Sequence, residues 1–533
     1  MNHKVFTKTR IATSLSLILS ATAALPALSA EEINKKQDDQ VEIIEVRGIR
    51  GSLVQSVDMK RNAIGVTESI SADDIGKMPD QNIAESLQRL TGIQIDRNAG
   101  EGTTVRIRGM SNNLTVLNNE SFLTGMEYFQ LGEGRAEFQD SLEGVPAEVL
   151  GGVDVYKTPK ASLIEGGVGG VVNLRTRSPF SVTEGFIAGN VKADMGQDAD
   201  QWKPQATVAV GNSWDSFAAI ATLSTNSKVV HSDQAQNINR QGWVYNQTAM
   251  GENYILPGMQ YESDREYSRD RIGATLALGW RPSDDLEVNL DIFHNELDVD
   301  SREYAQKYAM AIDGALDESK PYSIDSNGVI KNATFKQNAG ETNAAREITH
   351  ITADNIKLSF DYYLDDWRFD GNITVSQSEL NKEAAFADSR YSPYGVAGFI
   401  GADAASGNGS GTIIPNTVTG DDGDRSYEFT GGNGLPGISF LNNAPLQEEQ
   451  YQFYKSHWGF ADTTENDAIS ASLNAEYDID AGDVKTIKFG ARLANNEVDF
   501  AQGRYLTNLS QNGAPASFDP TFDYGFNAGI AAP

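Results

Sequence analysis

Cysteine is absent from all 533 residues, which removes disulfides, thiol nucleophiles and cysteine-ligated metal sites together. Histidine is nearly as scarce at 5, too few to supply a histidine-rich zinc centre. Lys and Arg number 43 against 74 Asp and Glu, a net charge of -31. That excludes a nucleic-acid partner, because holding phosphate takes clustered cations. Long apolar runs are missing too: after residue 30 no stretch offers the ~18 apolar residues that a spanning helix needs. The apolar fraction of 39% and mean hydropathy of -0.40 are low for a helical membrane protein. They suit strands that turn every second residue toward a polar lumen.

The N-terminus carries an address. Lys4, Lys8 and Arg10 precede an apolar stretch over residues 11–25, and Leu28 and Ala30 fit a small-residue cleavage site, so residues 1–30 read as a signal peptide. A retained anchor is the weaker alternative, since the stretch is short and contains Ser14, Ser16 and Ser20. Residues 31–50 read as a tether, polar up to residue 40. Val41, Glu42, Ile43, Ile44, Glu45 and Val46 then form a short strand-prone segment, whose free backbone can add to a partner's sheet edge.

Residues 51–179 have a mixed pattern. Ile83, Ala84, Leu87 and Leu90 lie at helical spacing with Gly92 as a stop, which predicts a helix over 80–90. Short strands are predicted over 93–96, 105–108, 153–156 and 171–175. This is a small α+β domain. From residue 180 to 533 period-2 segments recur: Ile272, Ala274, Leu276, Leu278 and Trp280 on one side of a turn, Leu286, Val288, Leu290 and Ile292 on the other. One face is apolar and the other polar over about ten residues, the length of a membrane-crossing strand.

The connections separate a barrel from a soluble sandwich. Short links at 212–215, 281–285, 365–366 and 478–485 alternate with long polar ones at 225–270, 296–355 and 377–467. Short turns on one side and long loops on the other are the habit of an outer-membrane barrel entered from the periplasm. The expected fold is thus a small α+β plug domain followed by an antiparallel transmembrane β-barrel. About nine strands are expected, fewer than the about 22 of plugged barrels. The barrel is therefore expected to be incomplete, its last strand running outward and residues 495–533 lying outside.

The residues themselves resemble a known family. The Val41 to Val46 segment followed by Arg47-Gly48 resembles a TonB box. Ile75-Gly76-Lys77-Met78-Pro79-Asp80-Gln81-Asn82-Ile83-Ala84-Glu85-Ser86-Leu87-Gln88-Arg89-Leu90, then Gly92-Ile93, resembles the first helix and strand of the plug of TonB-dependent outer-membrane receptors. Val105-Arg106-Ile107-Arg108-Gly109, Val153-Asp154-Val155-Tyr156-Lys157-Thr158-Pro159 and Gly166-Gly167-Val168-Gly169-Gly170-Val171-Val172-Asn173-Leu174 resemble its later strands. The family often has Arg-Gly-Pro where this chain has Lys157-Thr158-Pro159, so a second plug arginine is not expected there.

The resemblance implies energised uptake of a scarce substrate across the Gram-negative outer membrane, driven by TonB pairing with Val41 to Val46. Outer-membrane lipid is the expected surroundings, and no nucleic acid or cofactor is expected. It also implies that Arg106 and Arg108 latch the plug to barrel carboxylates, a solvated charged face being the plainer reading. Tyr128, Phe129 and Arg135 map to outward plug loops, where aromatic faces can stack on sugar rings; core packing is the alternative for Phe129. The subfamily is often linked to carbohydrate uptake, so an oligosaccharide is the first substrate class, with a siderophore or haem as the alternative.

Other motifs fall away. Gly166 to Gly170 lacks the Gly-Lys-Ser/Thr ending of a phosphate loop, and Asp421, Asp422 and Asp424 lack the twelve-residue calcium pattern. No metal site is expected. No nucleophile and base pair is brought together by spacing, so catalysis is not expected. A passive porin would need neither plug nor TonB box, and a signalling transducer would carry a further periplasmic domain before it.

Overall fold

In the computed structural model the described residues run from 60 to 508, except 62, 64, 72–81, 126, 132–134, 140–141, 183–184, 197–198, 200, 239–243, 246–253, 256–258, 310–314, 317–318, 337–339, 392–424, 429–436, 441–451 and 482–483. The stretches read as signal peptide and tether, Val41 to Val46 among them, and the triad Asp421, Asp422 and Asp424 all lie outside the described residues.

The first region mixes strands with one short helix. Strand β1 (Thr67–Ser71) precedes α1 (Ile83–Leu87), and β2 (Ile93–Asn98) and β3 (Glu101–Ile107) form a hairpin. After β4 (Asn113–Leu117) and β5 (Glu120–Ser121) comes a second hairpin, β6 (Glu127–Leu131) with β7 (Arg135–Gln139). The region closes with β8 (Gly152–Tyr156) and β9 (Gly170–Arg175), in a sheet of order β1-β8-β9-β4-β5 whose β4 and β9 are parallel. The helix is shorter than the expected 80–90 and starts where its cap allows. Asn82 accepts the Glu85 N–H at 3.2 Å, and its amide donates to the Gly102 carbonyl at 2.8 Å. Residues 88–90 follow as turn, and Gly92 at φ 71 leads into β2.

Asn82 is fully buried, so losing it strips both the cap and a carbonyl's partner. Asn82→Ala should cost about 1–2 kcal/mol. Hydrogen exchange at Glu85 and Gly102 in the full chain should speed up accordingly, while an exposed control such as Arg108→Ala leaves it unchanged.

The second region is one nine-stranded antiparallel sheet with accessory pairs in its connections. Strands β10 (Phe186–Asp194), β11 (Lys203–Ser213) and β12 (Phe217–Ile238) are followed by the small pair β13 (Val244–Tyr245) and β14 (Tyr254–Ile255). The main sheet resumes with β15 (Met259–Ser283) and β16 (Leu286–Ala309). Three short strands, β17 (Ala315–Leu316), β18 (Ser323–Ile324) and β19 (Ile330–Lys336), precede β20 (Gly340–Leu364) and β21 (Trp367–Tyr391). Then β22 (Arg425–Glu428) and β23 (Gly437–Phe440) join β19 in an accessory sheet, and β24 (Gln452–Ala481) and β25 (Val484–Asn508) complete the wall. Each main strand pairs with the next, and β10 and β25 are the two ends of the order.

Most of the described residues in the expected long loops are strand. β24 runs for 30 residues and β15 for 25, where about 9–11 suffice to cross a bilayer. Polar residues on both faces hide a strand from a search for apolar alternation, so the extensions at 225–238, 259–270, 296–309, 340–355, 377–391 and 452–467 read as loop from sequence. They are held by continuing ladders, with one register shift between Asp388 and Ser389, and by cross-strand pairs such as Arg346 to Asp300 at 2.9 Å. The short turns stand as expected: Leu364 pairs with Trp367, and Asp365 takes φ 49 in the two-residue turn between them.

Side chains sort by parity. Ile272, Leu278, Trp280, Ile356, Leu358, Ile373, Ile469, Leu473 and Leu493 are exposed on one face. At the short-turn end of that face aromatics gather: Phe217 stacks on Trp280 at 6.1 Å, and Trp367 meets Phe369, Tyr477 and Phe489. An apolar band with an aromatic girdle is what lipid selects. The other face is polar and buried against the first region, whose core of Ile83, Leu87, Ile107, Leu117, Phe122, Leu150 and Leu174 takes in Phe293 and Ala353 of the wall. Phe122 meets Phe293 edge-on, ring centroids 5.2 Å apart.

Candidate functional site

The seam between the small domain and the wall is built from charge. Arg269 and Arg271 sit two apart on β15, so both point inward, and they are 1% and 0% exposed. Arg271 Nη2 donates to the Glu101 carboxylate of β3, and its Nε donates to the Glu143 carbonyl at 2.8 Å. Arg269 Nε donates to Glu143 Oε1 at 2.6 Å, and its Nη2 to the Asn98 carbonyl at 3.1 Å. Lys228 of β12 adds a third cation, 3.5 Å from Glu101 Oε1. Burial pushes the Glu101 carboxyl upward, but Arg271, Arg269 and Lys228 outweigh it and hold it below the usual carboxylate range.

A second anchor engages the far end of the wall. Glu120 of β5 accepts from Arg492 Nε of β25 at 3.0 Å, Ser470 Oγ of β24 at 3.0 Å and Asn372 Nδ2 of β21 at 3.1 Å. Its burial is likewise outweighed, first by Arg492, so its carboxyl also lies low. Further side-chain contacts to the backbone fill the seam between these anchors. Asn355 and Lys357 of β20 donate to the carbonyls of Ser121 and Asn118, Ser376 accepts from Leu123 N–H, and Asn295 donates to the Gly144 carbonyl.

Both carboxyls ionise more readily when seated than when free, so the stability they lend is present above pH ~4.5 and is lost as pH falls through their lowered values. Protease protection of the seated domain should therefore hold at neutral pH and fall away below about pH 4.5, recovering on neutralisation. Glu120→Gln should start less protected and show a smaller drop.

The residues expected to form the latch do something else. Arg106 pairs with Asp96 on the neighbouring strand at 2.8 Å, both groups well exposed, a pair worth about 0–1 kcal/mol. Arg108 lies past the end of β3, exposed, at φ 53. Neither faces the wall, because the inward positions of β3 are taken by Val105 and Ile107, buried in the core. The polarity is reversed: the wall supplies the arginines and the plug the carboxylates. A signal was available in the sequence, since Tyr267, Arg269 and Arg271 extend the polar side of the strand that carries Ile272 to Trp280. Lys157, standing where the family often has arginine, is buried and donates to the Thr91 carbonyl and to Glu68 at 3.3 Å. The backbone places Tyr128 and Phe129 on β6 and Arg135 on β7, Tyr128 opposite Phe138; their side chains lie outside the described residues.

A folded domain seated by buried charge on the inner face of a strand wall, whose outer face is an apolar band, defines a plugged outer-membrane barrel wall. Residues 59–171 match the family model described as TonB-dependent Receptor Plug Domain. Over that stretch the chain is similar to the plug of the TonB-dependent receptors of the Gram-negative outer membrane. The vitamin B12 transporter BtuB of Vibrio cholerae serotype O1 is 26% identical over 161 residues, covering 30% of this chain and 24% of the transporter. The match thus spans about a quarter of that relative's length. Among solved structures, the ferric enterobactin receptor PfeA of Pseudomonas aeruginosa is 10% identical with a TM-score of 0.35, covering 84% of this chain and 72% of that one. The unliganded ferric citrate transporter FecA is 13% identical with a TM-score of 0.27, covering 83% and 79%.

Proposed function

We propose that the chain serves energised uptake: a scarce solute binds above the plug, and TonB, pairing with Val41 to Val46, pulls the plug so that the solute passes. The observation that carries this reading is the seam itself. Buried Glu101 and Glu120 and partly buried Glu143 are held by Arg269, Arg271 and Arg492, and breaking one buried partner from another costs several kcal/mol. Such a seal opens rarely by itself, so passage calls for work from outside the domain. The strand-prone Val41 to Val46 segment, upstream of the plug, is suited to carry that work as an added strand.

The substrate class we favour is an oligosaccharide, taken by Tyr128, Phe129 and Arg135 on the β6–β7 hairpin. A chelated metal or cofactor is the alternative, motivated by the relative named as a vitamin B12 transporter and the neighbour named as a ferric enterobactin receptor. Deleting residues 41–46 in cells making the full chain should abolish accumulation of the substrate while surface binding persists. Accumulation that survives the deletion refutes the TonB reading. Competition of uptake by oligosaccharides but not by ferric chelates or cobalamin decides the substrate class.

A further inference from the structure

The register lets the outer face be read row by row away from the short turns. Ile292, Ile356, Val375 and Ile469 stand directly opposite one another on β16, β20, β21 and β24; the last three are exposed and mark the upper margin of the apolar band on their strands, while on β15 exposed Ile272 reaches two rows higher, opposite Glu296. The next outward row is His294, Asp354, Gln377, Asp467 and Glu497. The one above is Glu296, Thr352, Glu379, Glu465 and Asp499, and above that stand Asp270, Asp298, His350, Asn381 and Thr463. Among the described residues of these three rows there is no Lys or Arg. The first outward arginines, Arg302 and Arg346, face each other two rows further out and are taken up by Asp300.

Carboxylates in these rows face carboxylates. Asp270 is opposite Asp298, Glu379 opposite Glu465, Glu465 opposite Asp499, and Asp467 opposite Glu497. Like charges directly across a ladder destabilise it. The strands cannot slip to relieve them, because a one-residue shift would turn the apolar band inward. Two places go beyond bare acidity, because an imidazole joins two carboxylates. In Glu296, Asp298 and His350 one ligand atom from each lies within 4.8 Å of the others, and His231, Asp233 and Asp264 form a second such set on the same face. His350 Nδ1 is 2.7 Å from Asp298 Oδ1 and 3.9 Å from Glu296 Oε1. One imidazole and two carboxylates are ordinary donors for a divalent cation.

Position supplies the partner. These rows continue directly from the lipid-facing band, so they lie at the level of the outer-leaflet headgroups, whose phosphates are anionic. A wall that meets phosphate with rows of carboxylates and, among their described residues, no Lys or Arg repels it unless something positive sits between. We propose that the acidic rows above the apolar band bind divalent cations, centred on Glu296, Asp298 and His350, and through them the phosphates of the surrounding lipopolysaccharide.

The test takes the full chain in bilayers with a lipopolysaccharide outer leaflet, Mn2+ being the probe read by electron paramagnetic resonance. Glu296→Gln with Asp298→Asn should weaken Mn2+ binding by at least about tenfold, the loss that even an outer-shell partner brings, and should reduce the lipopolysaccharide kept through detergent extraction. His350→Gln, which keeps a polar side chain, should weaken Mn2+ binding in the same direction. In the unaltered chain, EDTA should strip lipopolysaccharide and Mn2+ or Ca2+ should restore it, an outcome that no folding defect can mimic. Lipopolysaccharide retention indifferent to EDTA overturns the proposal. So does Mn2+ binding unchanged in both variants, and so does Mn2+ binding that falls while lipopolysaccharide stays.

Discussion

Replacing Glu101 by alanine should unseat the plug. The carboxylate is fully buried among Arg271, Arg269 and Lys228, and its removal leaves Arg269 and Arg271 to Glu143 and takes the same carboxylate from Lys228. Truncating one partner of a buried pair costs about 3–5 kcal/mol, most of it the stranded charge rather than the lost contact. In cells where this wall is part of a closed barrel, the outer membrane should become permeable to large antibiotics, and the plug should become cleavable by external protease. Arg271→Ala should do the same to a lesser degree, because Arg269 and Lys228 still face Glu101. Glu101→Ala with Arg271→Ala should cost less than the two added, since the pair leaves together. Arg106→Ala should change neither readout, its partner Asp96 being exposed on the plug itself. A leak from Arg106→Ala and none from Glu101→Ala would transfer the latch to the plug arginine.

Much of this architecture was legible in the sequence, and the reasons are local. The turn at Asp365 and Asp366 and the alternation from Ile272 to Trp280 and from Leu286 to Ile292 report the strand period directly, because one face is forced apolar by lipid. Where strands climb beyond lipid, that force ends. The stretch from Asp298 to Ala309 then carries polar residues on both faces and looks like loop. The latch was misplaced for a related reason. Arg106 and Arg108 alternate with Val105 and Ile107, which fixes them on one side of β3 but does not say which side meets the wall. That depends on long-range packing: Ile107 is needed in the core, so Arg106 turns to Asp96. Glu101 and Glu143 are two carboxylates among 74 acidic residues. Nothing near them in sequence announces the arginines of β15, which lie well over a hundred residues away.

The same packing makes a glycine of the wall a sharp probe. Gly273 lies on the inward face of β15 between Arg271 and Thr275, and a Cβ built there would come 2.8 Å from Pro146 Cγ and 3.0 Å from Val149 Cγ1 of the plug. Both neighbours are buried, and Val149 is part of the plug core, so neither has room to withdraw. Overpacking of this kind costs about 1–3 kcal/mol, and here the strain falls on the seam, because the wall strand is held on both sides by its ladder. Gly273→Leu should therefore raise antibiotic leakage and protease access to the plug, approaching the effect of Glu101→Ala. Ala274→Leu, one residue on, should be silent, because residue 274 shares the lipid-facing side with Ile272 and Leu278. Val149→Ala combined with Gly273→Leu should recover part of the seal by giving the new side chain space. If Ala274→Leu leaks and Gly273→Leu does not, the inward and outward faces of β15 have been assigned the wrong way round, and with them the place of Arg269 and Arg271 in the latch.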